Sequence, residues 1–167
     1  QFMGFKKDKG ETVVLNENMK NIPNLSDFLK SKSDFDLIFI DTPPYFSDKL
    51  PSILSVSDMV LIPCKPSIFD ALAIDATIRL VENEQKKLPR LKAAIVLNMA
   101  FTGTNYNAQV HELLSRYSIP ALQTIIYNRV DHARIFFNAN SVVQGGNDKA
   151  VEEISLLAKE IIQLLKS

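Results

Sequence analysis

Short apolar runs recur along the chain, and each is closed by a polar residue or proline. The clearest is Asp36–Asp41 (DLIFID), where four apolar residues lie between two aspartates. A continuous run of this length is typical of a strand buried on both faces of a parallel sheet. The same reasoning predicts strands at Thr12–Leu15, Asp58–Pro63, Lys92–Asn98 and Ala121–Ile126.

Helical patterns separate these strands. The periodicity predicts helices at Asn24–Lys32, Asp48–Val56, Ser67–Lys87 and Asn105–Tyr117, another after Asp131, and a last one over Val151–Leu165. Ser67 and Asp70 form a variant of the capping box at the start of one of them. The last helix has an apolar face made of Val151, Ile154, Leu157, Ala158, Ile161 and Leu165. Alternating strands and helices predict one α/β domain over residues 1–167, in three layers, with helices on both faces of a mostly parallel sheet.

Composition narrows the choice of function. The 167 residues carry nineteen basic and nineteen acidic side chains, so bulk charge gives no argument for nucleic acid or an anionic membrane as partner. No apolar run is long enough to span a bilayer. The single Cys64 excludes a disulfide framework and is expected to be an inert packing thiol. Of five glycines, none lies between Gly10 and Gly103.

Candidate chemistry lies at the carboxyl ends of the predicted strands, where ligands bind in α/β sheets. Asp41 ends one strand, and a carboxylate there either holds Mg²⁺ through water or caps the following turn. The next residues, Thr42-Pro43-Pro44, stiffen the chain because each proline restricts the backbone. A stiff exit of this kind fits a loop held over a phosphate, or a rigid loop without a ligand.

Several of these segments together resemble the ParA/MinD family of deviant Walker A partition ATPases, and the small plasmid ParA proteins most closely. The matching segments are FDLIFIDTPPYFSD, SDMVLIPCKPSIFDALAI, AAIVLN and TIIYNRVDHARIFFNANSVV, in the family's order and spacing. The resemblance covers most of the chain from about Asp34 onward. It implies a P-loop NTPase-like fold and hydrolysis of ATP for the partition of plasmid or chromosomal DNA.

The resemblance also implies roles for individual residues. Asp41 would be catalytic through a Mg²⁺ that it orders by water, and Thr42, Pro43 and Pro44 would belong to the loop that senses the γ-phosphate. Asn98 would bind the adenine edge, and Ile126, Tyr127 and Asn128 would close over the base. The segment Pro63–Asp70 would lie near an ATP-bridged dimer interface. Arg129 and Arg134, with Arg116 nearby in sequence, would bind DNA non-specifically; the alternative is a solvated helix face.

One family motif has no counterpart in the chain. The phosphate-binding pattern G-x-x-x-x-G-K-[ST] is absent, and the first residue is Gln1. We therefore expect an N-terminally incomplete chain without the first strand–helix unit, which binds ATP, ADP and Mg²⁺ weakly or not at all by itself. For the intact protein the resemblance implies dimerisation with itself, a ParB-like centromere-binding partner, non-specific DNA, no membrane, and a cytoplasmic, nucleoid-associated location.

Two other functions stay open. One is a non-catalytic, P-loop-less adaptor of the same fold. The other is a MinD-like regulator that cycles on a membrane, which Glu152, Glu153 and Glu160 disfavour. A membrane-binding helix is expected to be basic, whereas these three acidic residues belong to the last helix. Glu153 and Glu160 are expected on its polar face, with the apolar face packed on the sheet.

Overall fold

The computed structural model describes residues 2–6, 11–15, 24–42, 50–132 and 148–167. The chain divides into two compact units, Gln1–Val56 and Ser57–Ser167, each described here by itself. In the described residues no helix combines the length and apolarity that crossing a membrane requires.

The first unit contains a three-stranded antiparallel sheet. Its strands are β1 (Phe2–Lys6), β2 (Glu11–Leu15) and β3 (Leu37–Ile40), in the order β2-β1-β3. β1 pairs with β2 from Phe2 opposite Leu15, and with β3 from Phe2 opposite Ile40. Two short helices accompany the sheet, α1 (Leu25–Lys30) and α2 (Leu50–Leu54).

The expectation that the strand before Asp41 is buried on both faces of a parallel sheet is wrong in this unit. β3 runs antiparallel to its neighbour β1, and the side chain of Phe39 is 49% exposed. An apolar run predicts a strand but carries no information on the direction of its neighbour. β1 was not predicted as a strand, because Gly4 and the lysines that follow break its apolar pattern.

The second unit is a parallel sheet surrounded by helices. Its strands are β4 (Met59–Cys64), β5 (Lys92–Ala100) and β6 (Ala121–Tyr127), paired in parallel in that order. The helices are α3 (Ile68–Ala73), α4 (Asp75–Lys87), α5 (Tyr106–Leu114) and α6 (Asp148–Lys166). The single helix predicted over Ser67–Lys87 is thus two helices separated by Ile74. The parallel sheet with surrounding helices confirms the predicted α/β class.

The core of this unit lies on the central strand β5. Residues Ala93–Leu97 are all buried, as expected for a strand with a neighbour on each side. Ile154, Leu157 and Leu164 of α6 pack against a cluster made of Ala94, Val96, Leu122 and Ile126. The predicted packing of the last helix on the sheet is therefore confirmed.

Candidate functional site

The carboxyl ends of β5 and β6 are joined by a backbone hydrogen bond. The N–H of Asn128 donates to the carbonyl of Ala100 over 2.9 Å, and Ala100 lies opposite Tyr127 in the register. The structure therefore brings Asn98, at the end of β5, to the same edge of the sheet as Ile126–Asn128. The side chain of Ile126 is buried in the core, so this residue faces a ligand only through its backbone.

The backbone bends sharply beside Asn98. Met99 has φ 57°, a left-handed conformation that non-glycine residues rarely adopt, and the pairing with β6 shifts between Leu97 and Ala100. The N–H of Met99 donates to Oδ1 of Asn98 over 2.9 Å, so the bend and the carboxamide orientation are linked. Strained residues of this kind occur often at functional sites.

Asn107 holds the loop that follows β5. Its Nδ2 donates to the carbonyl of Phe101 over 2.6 Å, and its Oδ1 accepts from the Phe101 N–H over 3.3 Å. The side chain is 6% exposed although Asn107 is the second residue of α5. The sequence contains a signal for this, since Asn107, Val110 and Leu114 share one helix face.

Glu153 of α6 holds the end of β6. Its carboxylate accepts from the N–H of Tyr127 over 3.2 Å and from Nε of Arg129 over 2.7 Å. The Nη2 of Arg129 lies 2.5 Å from the same carboxylate, and Nε2 of His132 lies 3.5 Å away. Glu153 is itself buried, so α6 contributes a charged group to the interior beside the predicted base loop.

Glu160 repeats this contact further along β6. Its two carboxylate oxygens accept from the N–H groups of Gln123 and Thr124, over 2.8 and 3.0 Å. Partial burial opposes ionisation, but the hydrogen bonds from Thr124 and Gln123 outweigh it and lower the pKa of Glu160. The carboxylate is therefore the stable form in this contact.

The expectation that Glu153 and Glu160 lie on the polar face of the last helix is wrong. The two residues are seven apart, about 10.5 Å along a helix, and the strand N–H groups they bind are separated by a similar distance, about 10–13 Å. They therefore line up along β6, which has β5 on one side within the described sheet. The two carboxylates accept hydrogen bonds from β6 N–H groups, those of Gln123, Thr124 and Tyr127.

The arginines predicted to bind DNA lie in different surroundings. Arg116 is exposed and precedes β6, whereas Arg129 follows β6, so the two lie at opposite ends of a strand of seven residues. The side chain of Arg129 is 19% exposed and is paired with Glu153; its Cζ also lies 5.4 Å from the centre of the Tyr127 ring. Arg134 lies outside the described residues, so its prediction rests on sequence alone.

Asp41 and Thr42 directly follow β3 and are both exposed. Pro43 and Pro44 lie outside the described residues. Within the part of the chain that the structure describes, no three His, Cys, Asp or Glu side chains are grouped as a metal site. The proposed role of Asp41 needs only one carboxylate, with water completing the coordination of Mg²⁺, and it stays a prediction.

The residues at and just after the end of β4 belong to the segment Pro63–Asp70. Ser67 caps α3, because its Oγ accepts from the Asp70 N–H over 3.4 Å. Cys64 is 1% exposed, and burial, with a smaller effect of Asp70, raises the pKa of its thiol to about 11. Beyond the cap, three apolar side chains of α3 are exposed, Ile68 by 52%, Phe69 by 85% and Leu72 by 59%.

Comparison with known proteins adds to this geometry. Residues 6–95 match the family model AAA_31, described as "AAA domain". The "Maintenance of carboxysome distribution protein A" of Halothiobacillus neapolitanus is 29% identical over 153 residues, which are 90% of this chain and 69% of that protein. A "ParA family protein" of Mycoplasma pneumoniae is 26% identical over 80 residues, 48% of this chain and 30% of that protein.

The parallel sheet with surrounding helices, and the polar residues at its strand ends, define a P-loop NTPase-like α/β protein. More narrowly, the chain belongs to the AAA domain family and, with these relatives, to the ParA/MinD-type partition ATPases.

Proposed function

We propose that the protein is an ATPase of the ParA type, which uses ATP binding and hydrolysis to position or partition a cargo. The observation that carries the proposal is the joined end of β5 and β6, where the Asn128 N–H donates to Ala100, two residues after Asn98. A carboxamide and neighbouring backbone groups are the donors and acceptors that the edge of adenine requires.

Hydrolysis is proposed to occur by transfer of the γ-phosphoryl group to water. Asp41 is exposed at the end of β3, and its carboxylate suits Mg²⁺, which prefers oxygen ligands. The ion would neutralise charge that develops on the phosphate oxygens. Thr42 and the two prolines after it would order the loop that faces the attacking water. Positioning and electrostatic stabilisation supply most of the catalysis in reactions of this class.

Self-association is a second part of the proposal. Ile68, Phe69 and Leu72 lie on one short helix, and the first two belong to the segment Pro63–Asp70 that the family resemblance puts near a dimer interface. Exposed apolar side chains that are contiguous favour a protein contact over a solvated surface. We propose that two copies meet here with ATP between them.

We propose that the protein binds DNA non-specifically and that a ParB-like protein activates its ATP hydrolysis. The proposed location is cytoplasmic and nucleoid-associated. Of the two described arginines that the resemblance singles out, Arg116 fits a phosphate contact better than Arg129, because it is exposed. Arg129 is less suited, since Glu153 already neutralises it. For the cargo, plasmid DNA is the first candidate. The carboxysome relative favours a protein compartment as the second.

The two other functions make different demands. A non-catalytic adaptor would need the same α3 surface but no nucleotide. A membrane-cycling regulator would need a free basic helix, whereas α6 packs on the sheet and binds β6 through Glu153 and Glu160. The structure of α6 therefore favours the ATPase and the adaptor over the membrane regulator.

The deciding experiment measures release of phosphate from Mg²⁺-ATP by the full-length protein, with and without DNA. The Asp41→Asn variant should lose the Mg²⁺-dependent rate. Asp36→Asn is the matched control, because Asp36 is an exposed carboxylate just before the other end of β3. Equal rates in the two variants would refute the role of Asp41. Absence of both ATP binding and turnover would support the adaptor.

DNA binding is measured separately as affinity over a series of salt concentrations. Arg116→Ala should weaken binding and reduce the salt slope, because each phosphate contact releases a counterion. Lys86→Ala, which removes an exposed cation on α4, is the control. Equal effects of the two changes would mean that Arg116 is not a specific phosphate contact.

A further inference from the structure

The segment Asn98–Phe101 is held by hydrogen bonds at both of its ends. At one end Oδ1 of Asn98 accepts from Met99. At the other, the carbonyl of Ala100 accepts from Asn128, and both backbone groups of Phe101 are bound by Asn107. Between them lies Met99, whose φ of 57° is unfavourable for a side chain with a Cβ. A strained residue keeps such a conformation only where its surroundings hold it.

Among these contacts, the side chain of Asn107 is the one that reaches the segment from a different element, the helix α5. Its carboxamide imitates a peptide group and pairs with Phe101 as a neighbouring strand would, through one donor and one acceptor. The loop it holds has few other anchors, because residues 101–105 are all exposed and the Phe101 ring is 53% exposed. Gly103, with φ 72°, turns the chain toward α5.

Asparagine at this position is unfavourable for the helix alone. It lowers helix propensity and its carboxamide loses water on burial. The side chain does not cap α5, since Asn107 lies inside the helix and its hydrogen bonds go to Phe101. What it does is fix the backbone three residues beyond Asn98.

We infer that Asn107 is a positioning residue for base recognition: it holds the Asn98–Phe101 segment in the bent conformation that presents the Asn98 carboxamide to an adenine edge. This rests on the proposed function, and deepens it by naming what sets base specificity. Asn107 acts through Phe101 and Met99, and does not itself touch the nucleotide. Removing it lets Met99 relax toward negative φ and turns the Asn98 carboxamide away from the base.

The test compares the binding of ADP and GDP to the whole chain by NMR titration, which also measures weak affinities. The wild type should prefer ADP. Asn107→Ala should lower the ADP-over-GDP preference by about tenfold, the equivalent of one hydrogen bond to the base. Asn107→Asp keeps the acceptor for the Phe101 N–H but sets a carboxylate oxygen against the Phe101 carbonyl, so the ADP preference should fall at least as far as in Asn107→Ala.

Gln109→Ala is the control on the same helix, because Gln109 is exposed. It should leave the preference unchanged. A second readout needs no nucleotide: the amide resonances of Met99 and Ala100 should shift in Asn107→Ala and not in Gln109→Ala. If Asn107→Ala does not fold, Asn107→Ser carries the same comparison.

The outcomes separate the two proposals. An unchanged ADP preference in a folded Asn107 variant would overturn the inference and leave the proposed function standing. A wild type that binds ADP and GDP equally would overturn base recognition at this site, and the inference with it. Reduced affinity for both nucleotides at a constant ratio would show a merely structural role and would also overturn the inference.

Discussion

The guanidinium of Arg129 lies against the carboxylate of Glu153, with Nε 2.7 Å from Oε1. Both side chains are largely enclosed, 19% and 11% exposed. The pair ties Arg129, two residues beyond β6, to the helix α6, and the same carboxylate accepts from the Tyr127 N–H. A buried pair does not necessarily increase stability, but removal of one partner leaves the other charge uncompensated. The contact therefore fixes where α6 lies on the sheet.

Replacement of Glu153 by alanine should destabilise the protein strongly. It leaves the Arg129 guanidinium and the Tyr127 N–H without their acceptor, and the unpaired Tyr127 N–H alone costs about 1–3 kcal/mol in the free energy of unfolding. Urea denaturation followed by circular dichroism measures this. Glu152→Ala, at the exposed neighbouring position, should change stability little. Equal losses in the two variants would mean that the carboxylate of Glu153 has no special role.

Replacement of Arg129 and of Arg116 by alanine should have different effects on thermal stability and on DNA binding. Arg129→Ala should lower the melting temperature, because it strands the carboxylate of Glu153. Arg116→Ala should leave the melting temperature unchanged and, if the DNA proposal holds, weaken DNA binding. Thermal unfolding and a DNA titration of each variant check both statements. An Arg129→Ala protein of unchanged stability with lost DNA affinity would place Arg129 in the DNA contact instead.

Glu160 should give the protein an acid-sensitive contact. Hydrogen bonds lower the pKa of its carboxyl in the folded protein, so the contact adds stability above the ordinary carboxyl pKa of about 4.5. This stability is lost as the pH falls through the lowered folded pKa. Glu160→Gln should therefore be less stable than the wild type at neutral pH, and the difference should shrink in acid.

Unfolding free energies measured at several pH values between neutral and strongly acidic test this prediction. Glu112→Gln on the exposed face of α5 is the control, and should keep a constant difference from the wild type. A constant difference for Glu160→Gln as well would show that its ionisation is not linked to folding.

Met99 should tolerate glycine better than valine. Glycine adopts positive φ without steric cost, so Met99→Gly relieves the strain at this position. Glycine also loses more backbone freedom on folding. The two effects oppose each other, so stability should change by less than about 1 kcal/mol. Valine is β-branched and strongly disfavours this backbone region, so Met99→Val should destabilise by about 1–2 kcal/mol. Chemical denaturation of the pair measures the difference. Since Met99 is 43% exposed, lost packing contributes little.

Cys64 should resist alkylation while the protein is folded. Burial raises its pKa from 9.0 to about 11, which reduces the thiolate fraction roughly hundredfold at pH 8, and the residue is 1% exposed. Treatment with iodoacetamide at pH 8 should leave the folded chain unmodified by mass spectrometry. The denatured chain should react fully under the same conditions. Rapid labelling of the folded protein would show that β4 opens locally.

The strands and helices of the second unit follow from short-range patterns. The apolar runs predicted β4, β5 and β6. Ser67 was predicted as a helix cap from a four-residue spacing. These features depend on neighbours in sequence, which is why residue pattern alone was enough.

Other features depend on what the elements meet in space. The run before Asp41 predicted a strand, but only pairing with β1 decided its antiparallel direction. The helical pattern predicted that Glu153 and Glu160 lie on the polar face of the last helix. In the structure both carboxylates accept hydrogen bonds from N–H groups of β6. The conformation of Met99 and the contacts of Asn107 depend on the same junction.

The sequence by itself determined the α/β class, the family, and the residues placed at the strand ends, because periodicity and local motifs act over a few residues. The tertiary structure alone decided which polar side chains become buried and what they bind. The physical reason is that a buried carboxylate or carboxamide is tolerated only where a distant backbone group supplies its hydrogen bonds, and no local pattern records where that group lies.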